Sequence, residues 1–265
     1  EHNIKPIDFS GLSPSNEALK LVIDTYLSEL LNKAQLLHQT IATFSKDPTE
    51  ESLSHAISAL EVLHLTYASG TFLWEKSKAL FKIHTQLDQH PLLPGYLDTV
   101  TGYPFSGLIH SDIAITKEAM LEEFQLGDSY YVTLGFHALE VMLKGGGEKN
   151  RLANDFKTLL DSENSDEHTP ELRRTRYAVL LSSEIKNNIA LLQAHWFSVQ
   201  HLQLSNTEQS NDYFLTLKKD AEKALKTIQT RQTKSSNVNE SRLHDHPNIL
   251  KEREAFLRKL LFIKK

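Results

Sequence analysis

The sequence predicts an all-α protein built of two helical bundle domains packed side by side, and three observations carry that prediction. From Glu148 to Lys265 there is no glycine, and the two prolines there, Pro170 and Pro247, follow Thr169 and His246 where helices would begin. Apolar residues recur at helical spacing over long stretches of the chain. Neither strand-type alternation nor a strand-turn-strand signal runs for any length. The chain of 265 residues exceeds one average domain. The expected division is an N-terminal bundle over residues 1–126 and a C-terminal bundle over residues 127–265.

Each element has its own signal. Leu19, Val22, Ile23, Tyr26, Leu30, Ala34, Leu37, Ile41 and Phe44 form one apolar stripe of a long first helix. In "KDPTEES", Asp47 reads as a cap, Pro48 as the first helical residue and the acids as a first turn. A second helix then carries Leu53, Ile57, Leu60, His64 and Tyr67 on one side and is expected to run past Gly70 to Ile83. A long irregular segment follows at about residues 84–113. Its core, "QHPLLPGYLDTVTGYPFSGLIHSD", has too much proline and glycine for a regular helix and enough Leu, Tyr, Phe and Ile to be ordered.

Thr169 caps the helix of "TPELRRTRYAVLLSSEIKNNIALLQAHWFSVQHL", whose stripe is Leu181, Ile185, Ile189, Leu192, Trp196 and Val199. A further helix spans about Thr207 to Ile228 with Phe214, Leu217, Ala221, Ala224, Leu225 and Ile228 inward. The last begins near Pro247 and carries Leu250, Phe256, Leu257, Leu260 and Leu261. Between these two lies the polar loop "RQTKSSNVNESRLHDH", whose His244 and His246 read as solvated. Trp74 and Trp196 read as bundle packing and helix surface.

Composition excludes several classes of function. A formal net charge of −5 offers no basic excess to attract nucleic acid. The absence of cysteine excludes disulfides, thiolate metal ligands and cysteine nucleophiles. No apolar run approaches the roughly 20 residues that span a bilayer, so no transmembrane helix is expected. The chain opens "EHNIKPIDFSG" with neither a basic start nor an apolar core, so an exported form has already lost its signal.

The chemistry concentrates in "YYVTLGFHALEVMLKGGG", residues 130–147. A helix capped by Asp128 or Ser129 and ended by Gly145 presents Val132, Phe136, Leu139, Met142 and Leu143 to a core. Gly135 then falls inside the helix at a cost of about 1 kcal/mol relative to alanine, which implies that another backbone or a ligand comes close. His137 and Glu140 stand one turn apart, off the apolar stripe. From spacing alone, Glu140 makes a surface ion pair with Lys144 and His137 is partly exposed. The functional alternative is a pair of adjacent metal ligands, or an acid and a base sharing a proton, with a third ligand supplied from elsewhere. His110 and Asp112, at the end of the irregular segment, are weaker candidates for that ligand. Arg173 and Arg174, with Tyr177 one turn on, read either as helix-surface charges beside a half-buried ring or as a cationic fork for Glu140 or an anionic ligand.

"GFHALE" resembles the G-x-H-x-x-E motif of the imelysin family, and "DSYYVTLGFHALEVMLKG" resembles the flanking segment. "LRRTRYAVLLSSEIKNNIALLQAHW" is similar to the arginine-rich start, with a tyrosine, of a long helix in the same family. Lys144 and Gly145 stand where family members often carry Trp-Gly. The resemblance implies two helical bundles and a protein of the Gram-negative envelope, periplasmic or lipid-anchored, associated with iron uptake. Its ligand is then a metal, a metal-containing ligand or a peptide, held near the domain junction by His137 and Glu140 with Gly135, Arg173, Arg174 and Tyr177 in support. Iron and zinc are the candidate metals.

The family is also classed among metallopeptidases. Zinc peptidases on helices use H-E-x-x-H or H-x-x-E-H, and Val141 stands where the inverted motif needs its second histidine. Binding is therefore favoured over a metal-dependent peptidase using His137 and Glu140. A structural or interaction module, with the motif serving packing, is the second alternative.

Overall fold

The computed structural model describes residues 9–75, 77–147, 150–157, 169–232, 243 and 246–262. It is all-α: among these residues the one β-type pairing is an isolated bridge between Val100 and Tyr103. The α-helices are α1 (Pro14–Phe44), α2 (Glu50–Ser69), α3 (Phe81–Asp88), α4 (Pro94–Leu97), α5 (Lys117–Leu126), α6 (Gly135–Lys144), α7 (Pro170–Val199), α8 (Thr207–Gln232) and α9 (Ile249–Leu261). No helix is long and apolar enough to cross a membrane among the described residues.

The chain forms two compact units, one of residues 1–31, 65–81 and 190–265 and the other of residues 32–64 and 82–189. These interleave along the sequence, whereas the sequence reading draws a single boundary after residue 126. The long helices α1, α2 and α7 each supply a segment to both units, which a linear reading of composition does not reveal.

In the first unit, Ala221, Leu225 and Ile228 of α8 pack with Leu257 of α9, and Phe72, Ala224, Leu250 and Leu261 close around them. An aromatic group lies nearby: the Tyr26 ring stacks on Trp74 at 6.0 Å and meets Phe256 at 4.7 Å. Tyr26 Oη donates to the Tyr67 carbonyl and Trp74 Nε1 to Tyr67 Oη, at 3.0 and 3.2 Å. Trp196 is buried rather than on the surface, and its Nε1 donates to Asp24 Oδ1 at 2.6 Å. The polar loop expected between α8 and α9, with His244, lies largely outside the described residues.

The second unit is arranged around α6. Every residue from Gly135 to Leu143 is buried, so this short helix is enclosed on all sides. The α1 stripe supplies Ala34, Leu37, Ile41 and Phe44, α2 supplies Leu53, Ala56, Leu60 and Leu63, and α7 supplies Tyr177, Leu181, Ile185 and Ile189, all buried.

Four boundaries differ from the sequence reading. The α2 cap is Thr49, whose Oγ1 accepts from the Ser52 N–H at 3.1 Å, in place of Asp47. That helix stops at Ser69 and does not continue to Ile83. Gly70 follows it, where the Tyr26 ring occupies the space a side chain would need. Residues 84–88 belong to α3, so irregular structure begins only at Gln89, just before the His90-Pro91 step that disfavours helix. Within the irregular segment, α4 and a 3-10 turn at Leu108–His110 are the regular pieces.

The fourth difference concerns the motif. Helix α6 begins at Gly135, not at residue 128 or 129, because the preceding residues are held by tertiary bonds. Thr133 Oγ1 donates to the Met120 carbonyl and the Thr133 carbonyl accepts from Tyr177 Oη, both at 2.6 Å. Gly135 has φ +86° and turns the chain into the helix. A Cβ there would collide with backbone carbonyls of α3, lying 2.5 Å from Gln86 O and also against Leu87 O. The close approach expected of this glycine is present, and what approaches is the backbone of α3. Gly145, at φ +85°, ends the helix as the sequence implies, its N–H bonded to the Val141 carbonyl at 2.9 Å.

Gly135→Ala is expected to destabilise by about 2–5 kcal/mol, the sum of left-handed strain and overpacking. Gly102 also has positive φ, +87°, but no neighbour within 4 Å of a would-be Cβ. Gly102→Ala is therefore expected to cost only about 1–2 kcal/mol. Denaturant unfolding of the two variants separates the terms, and equal losses would show that the contact with α3 contributes nothing.

Candidate metal centre

Because α6 is enclosed, His137 and Glu140 are each only 2% exposed. The exposed ion-pair reading of the motif is thereby overturned: being off the apolar stripe does not mean facing water when neighbours surround the helix. Burial obliges both groups to find partners.

His137 meets them through its two ring nitrogens. Nε2 lies 3.0 Å from Asp88 Oδ1, at the C-terminal end of α3. Nδ1 points to the other side, 3.9 Å from Glu140 Oε2. The same Asp88 oxygen is 2.8 Å from His64 Nε2, on α2. His64 thus lies on the buried side of its helix, as its place in the apolar stripe implies, and its ring meets Phe136 at 5.1 Å and His137 at 5.3 Å. On the remaining side Lys144 bridges Glu140 Oε1 at 3.5 Å and the half-exposed Glu61 Oε1 at 2.7 Å. A chain of polar contacts therefore runs from Glu61 through Lys144, Glu140 and His137 to Asp88 and His64.

Burial raises the Asp88 carboxyl, but the two histidines outweigh it and hold it well below the usual carboxylate range. Burial likewise lowers His137, yet Asp88 and Glu140 together lift it to about 9. The neutral-pH state of the cluster is an imidazolium between two carboxylates.

One ligand atom from each of His64, Asp88 and His137 lies within 4.8 Å of the others. Two imidazole nitrogens and a carboxylate oxygen are donors suited to zinc or another divalent first-row ion. The residues present therefore fit a metal through His137 Nε2. Glu140 faces the opposite ring nitrogen, so in this arrangement it orients the ring.

The other expected site residues are placed elsewhere. Arg174 is directed at Asp98, Nε to Oδ2 at 2.7 Å and Nη2 to Oδ1 at 3.1 Å, and Arg151 Nη2 reaches the same carboxylate at 2.9 Å. Arg173 donates to the carbonyls of Leu108, Ile109 and Ile113 at 2.7–2.9 Å. These arginines fasten the irregular segment. His110 Nε2 lies 3.8 Å from Asp98 Oδ1, and Asp112 is exposed. Tyr177 supports the start of α6 through Thr133. Sequence reasoning missed His64 and Asp88 as donors. A histidine in an otherwise apolar stripe was the available signal for the first, and nothing local marked the second.

The fold and this cluster define a helical protein with a buried imidazole–carboxylate centre on its central motif helix. The chain belongs to the imelysin family, whose model (Peptidase_M75, Imelysin) matches residues 22–257. Comparison with curated proteins found no match.

Two predictions follow from these charges. His137 is raised from its ordinary 6.5, so its contribution to stability is complete below pH 6.5 and disappears as pH rises through about 9. Asp88 is depressed, so its contribution is present above its ordinary 3.8 and is lost on acidification. In chelator, thermal midpoints should fall on both sides of this window, and His137→Gln should remove the alkaline decline; an unchanged alkaline limb would contradict the assignment. Separately, Asp98→Asn leaves Arg151 and Arg174 buried without their carboxylate. It should destabilise by about 3–5 kcal/mol in denaturant unfolding.

Proposed function

We propose that this chain is a metal-binding protein of the cell envelope that holds a divalent transition-metal ion on His64, Asp88 and His137. The observation that carries this reading is the convergence of two imidazoles and a carboxylate, from three helices, on one point. Glu140 fixes the His137 ring from behind, so both motif residues have a task in a single site. The resemblance that supplies the envelope location, periplasmic or lipid-anchored, also supports a part in iron uptake, and ferrous iron is within the range of these donors. Binding is favoured over hydrolysis because Glu140, the acid the motif supplies, faces His137 Nδ1 and Lys144, away from where a metal-bound water would form.

A packing role is the second reading. It is favoured by the near-complete burial of His137 and Glu140 and by a charge chain that is closed without an ion.

Calorimetry of chelator-treated protein with Zn²⁺ and Fe²⁺, alongside elemental analysis, decides between them. The metal reading expects one ion per chain and a loss of roughly a hundredfold or more in affinity on His137→Ala or Asp88→Ala, beyond the 10–100-fold of an outer partner. Absence of binding by the wild-type chain would leave the packing role standing.

A further inference from the structure

Three places lie outside the proposed donor set. The Asp98 cluster holds two guanidiniums, which only donate and offer an ion no lone pair. The exposed Tyr103 and Phe105 have nothing beside them that identifies a partner. The third is the far end of the polar chain, at Lys144.

Lys144 is the last residue of α6, and His137, Glu140 and Lys144 follow one another at intervals of three and four residues, so they share one strip of that helix. Its side chain is only 14% exposed, and a lysine so enclosed needs a fixed partner. Nζ stands between two carboxylates, 3.5 Å from Glu140 Oε1 and 2.7 Å from Glu61 Oε1. The other oxygen of Glu140 is the one that faces His137 Nδ1, at 3.9 Å. Glu140 is thus flanked at one oxygen by Lys144 and at the other by His137. Glu61 holds the ammonium from α2, three residues before His64 and so on nearly the same side of that helix. The two helices that bring the imidazoles together are therefore also joined by this ion pair.

We propose that Lys144, fastened by Glu61, is a positioning residue of the metal centre: it sets the Glu140 carboxylate against His137 Nδ1, and through it the affinity of His64, Asp88 and His137 for a divalent ion. This rests on the metal reading above. A carboxylate behind a ligating imidazole fixes the tautomer and ring orientation and raises the basicity of the ligating nitrogen. Such a carboxylate is costly to bury unless it is paired. Lys144 supplies the pairing from the side away from Nε2, where it does not compete with an ion.

The test is a double-variant cycle in Zn²⁺ affinity, measured on the full chain by competition with a chelator, with His137→Ala for reference. Lys144→Met should bind Zn²⁺ roughly tenfold more weakly, the lower end for an outer partner, and Lys144→Arg should recover most of that loss. In a Glu140→Gln background, Lys144→Met should cost nothing further, because the carboxylate it acts through is already gone. A merely structural Lys144 would weaken binding equally in both backgrounds. Glu61→Gln should weaken binding in the same direction by less than about fivefold, since that pair is open to water. Circular dichroism checks folding, and Lys144→Gln, which keeps an N–H donor beside Glu140, takes over the comparison if Lys144→Met does not fold. If His137→Ala abolishes binding while the Lys144 variant leaves affinity unchanged, or lowers it equally with and without Glu140, this inference is overturned and the three-residue centre stands. If the wild type binds no Zn²⁺, both fall together.

Discussion

Placing an imidazole and a carboxylate on a helix that is enclosed from every side costs several kcal/mol for each charge that loses water without replacement. The second unit is arranged to meet that cost. Glu140 is compensated by Lys144 on one side and by His137 on the other, His137 by Asp88, and Asp88 by His64. The chain of charges is most open to water at Glu61, whose side chain is 38% exposed. Helices α2 and α3 must therefore sit where they do: shifting either would leave a buried charge unmatched. The backbone contact at Gly135 acts in the same place, because α3 can bring Asp88 to His137 only if its last turn lies directly against the start of α6.

The long helices were legible in the sequence because each is governed by one periodicity and one face. Most residues expected inward in α1, α7 and α8 are buried, and the others, Val22, Val199, Leu217 and Ala224, are half-buried. What was not legible was anything decided by contacts distant along the chain. The start of α6 at Gly135 depends on Tyr177, 44 residues after Thr133. The partner of His137 lies 49 residues before it, in a helix read as part of an irregular segment. Still, "GFHALEVML" contains only two residues that ionise, and a helix so apolar all round belongs in an interior. Treating it as amphipathic placed His137 and Glu140 in water.

The arginines show a complementary limit. Arg173 and Arg174 open α7 as adjacent charges, a pattern that reads equally as a solvated surface and as a fork for a ligand. Both are buried, and they divide between two tasks: Arg173 satisfies carbonyls of the irregular segment, while Arg174 grips Asp98 within it. The segment's own backbone bonds close only short turns, such as Tyr103 N–H to the Val100 carbonyl and His110 N–H to the Gly107 carbonyl. Carbonyls left over by those turns are met from outside, and a guanidinium group, with five donors in a fixed plane, satisfies several at once, as Arg173 does.

The buried Asp98 and the half-buried Asp88 of this unit are compensated by different chemistry, and the difference bears on function. Asp98 is held by Arg151 and Arg174, whose guanidinium groups only donate and offer no lone pair to a metal ion. Asp88 is held by imidazoles, whose nitrogens, unlike a guanidinium, can carry either a proton or a metal ion, and on the metal reading proposed above the ion would take the place of a proton at the nitrogens aimed at the carboxylate. Replacing a proton on His137 by a divalent ion would raise the local charge by one, and the ionised Asp88, in contact with both imidazoles, would offset it. Glu140 faces the opposite nitrogen, Nδ1, and pairs with Lys144, so neither would need to move for that replacement. The two nitrogens of His137 thus meet two different carboxylates, Glu140 from its own helix at Nδ1 and Asp88 from α3 at Nε2, and under the proposed reading only the Nε2 side would change its occupant.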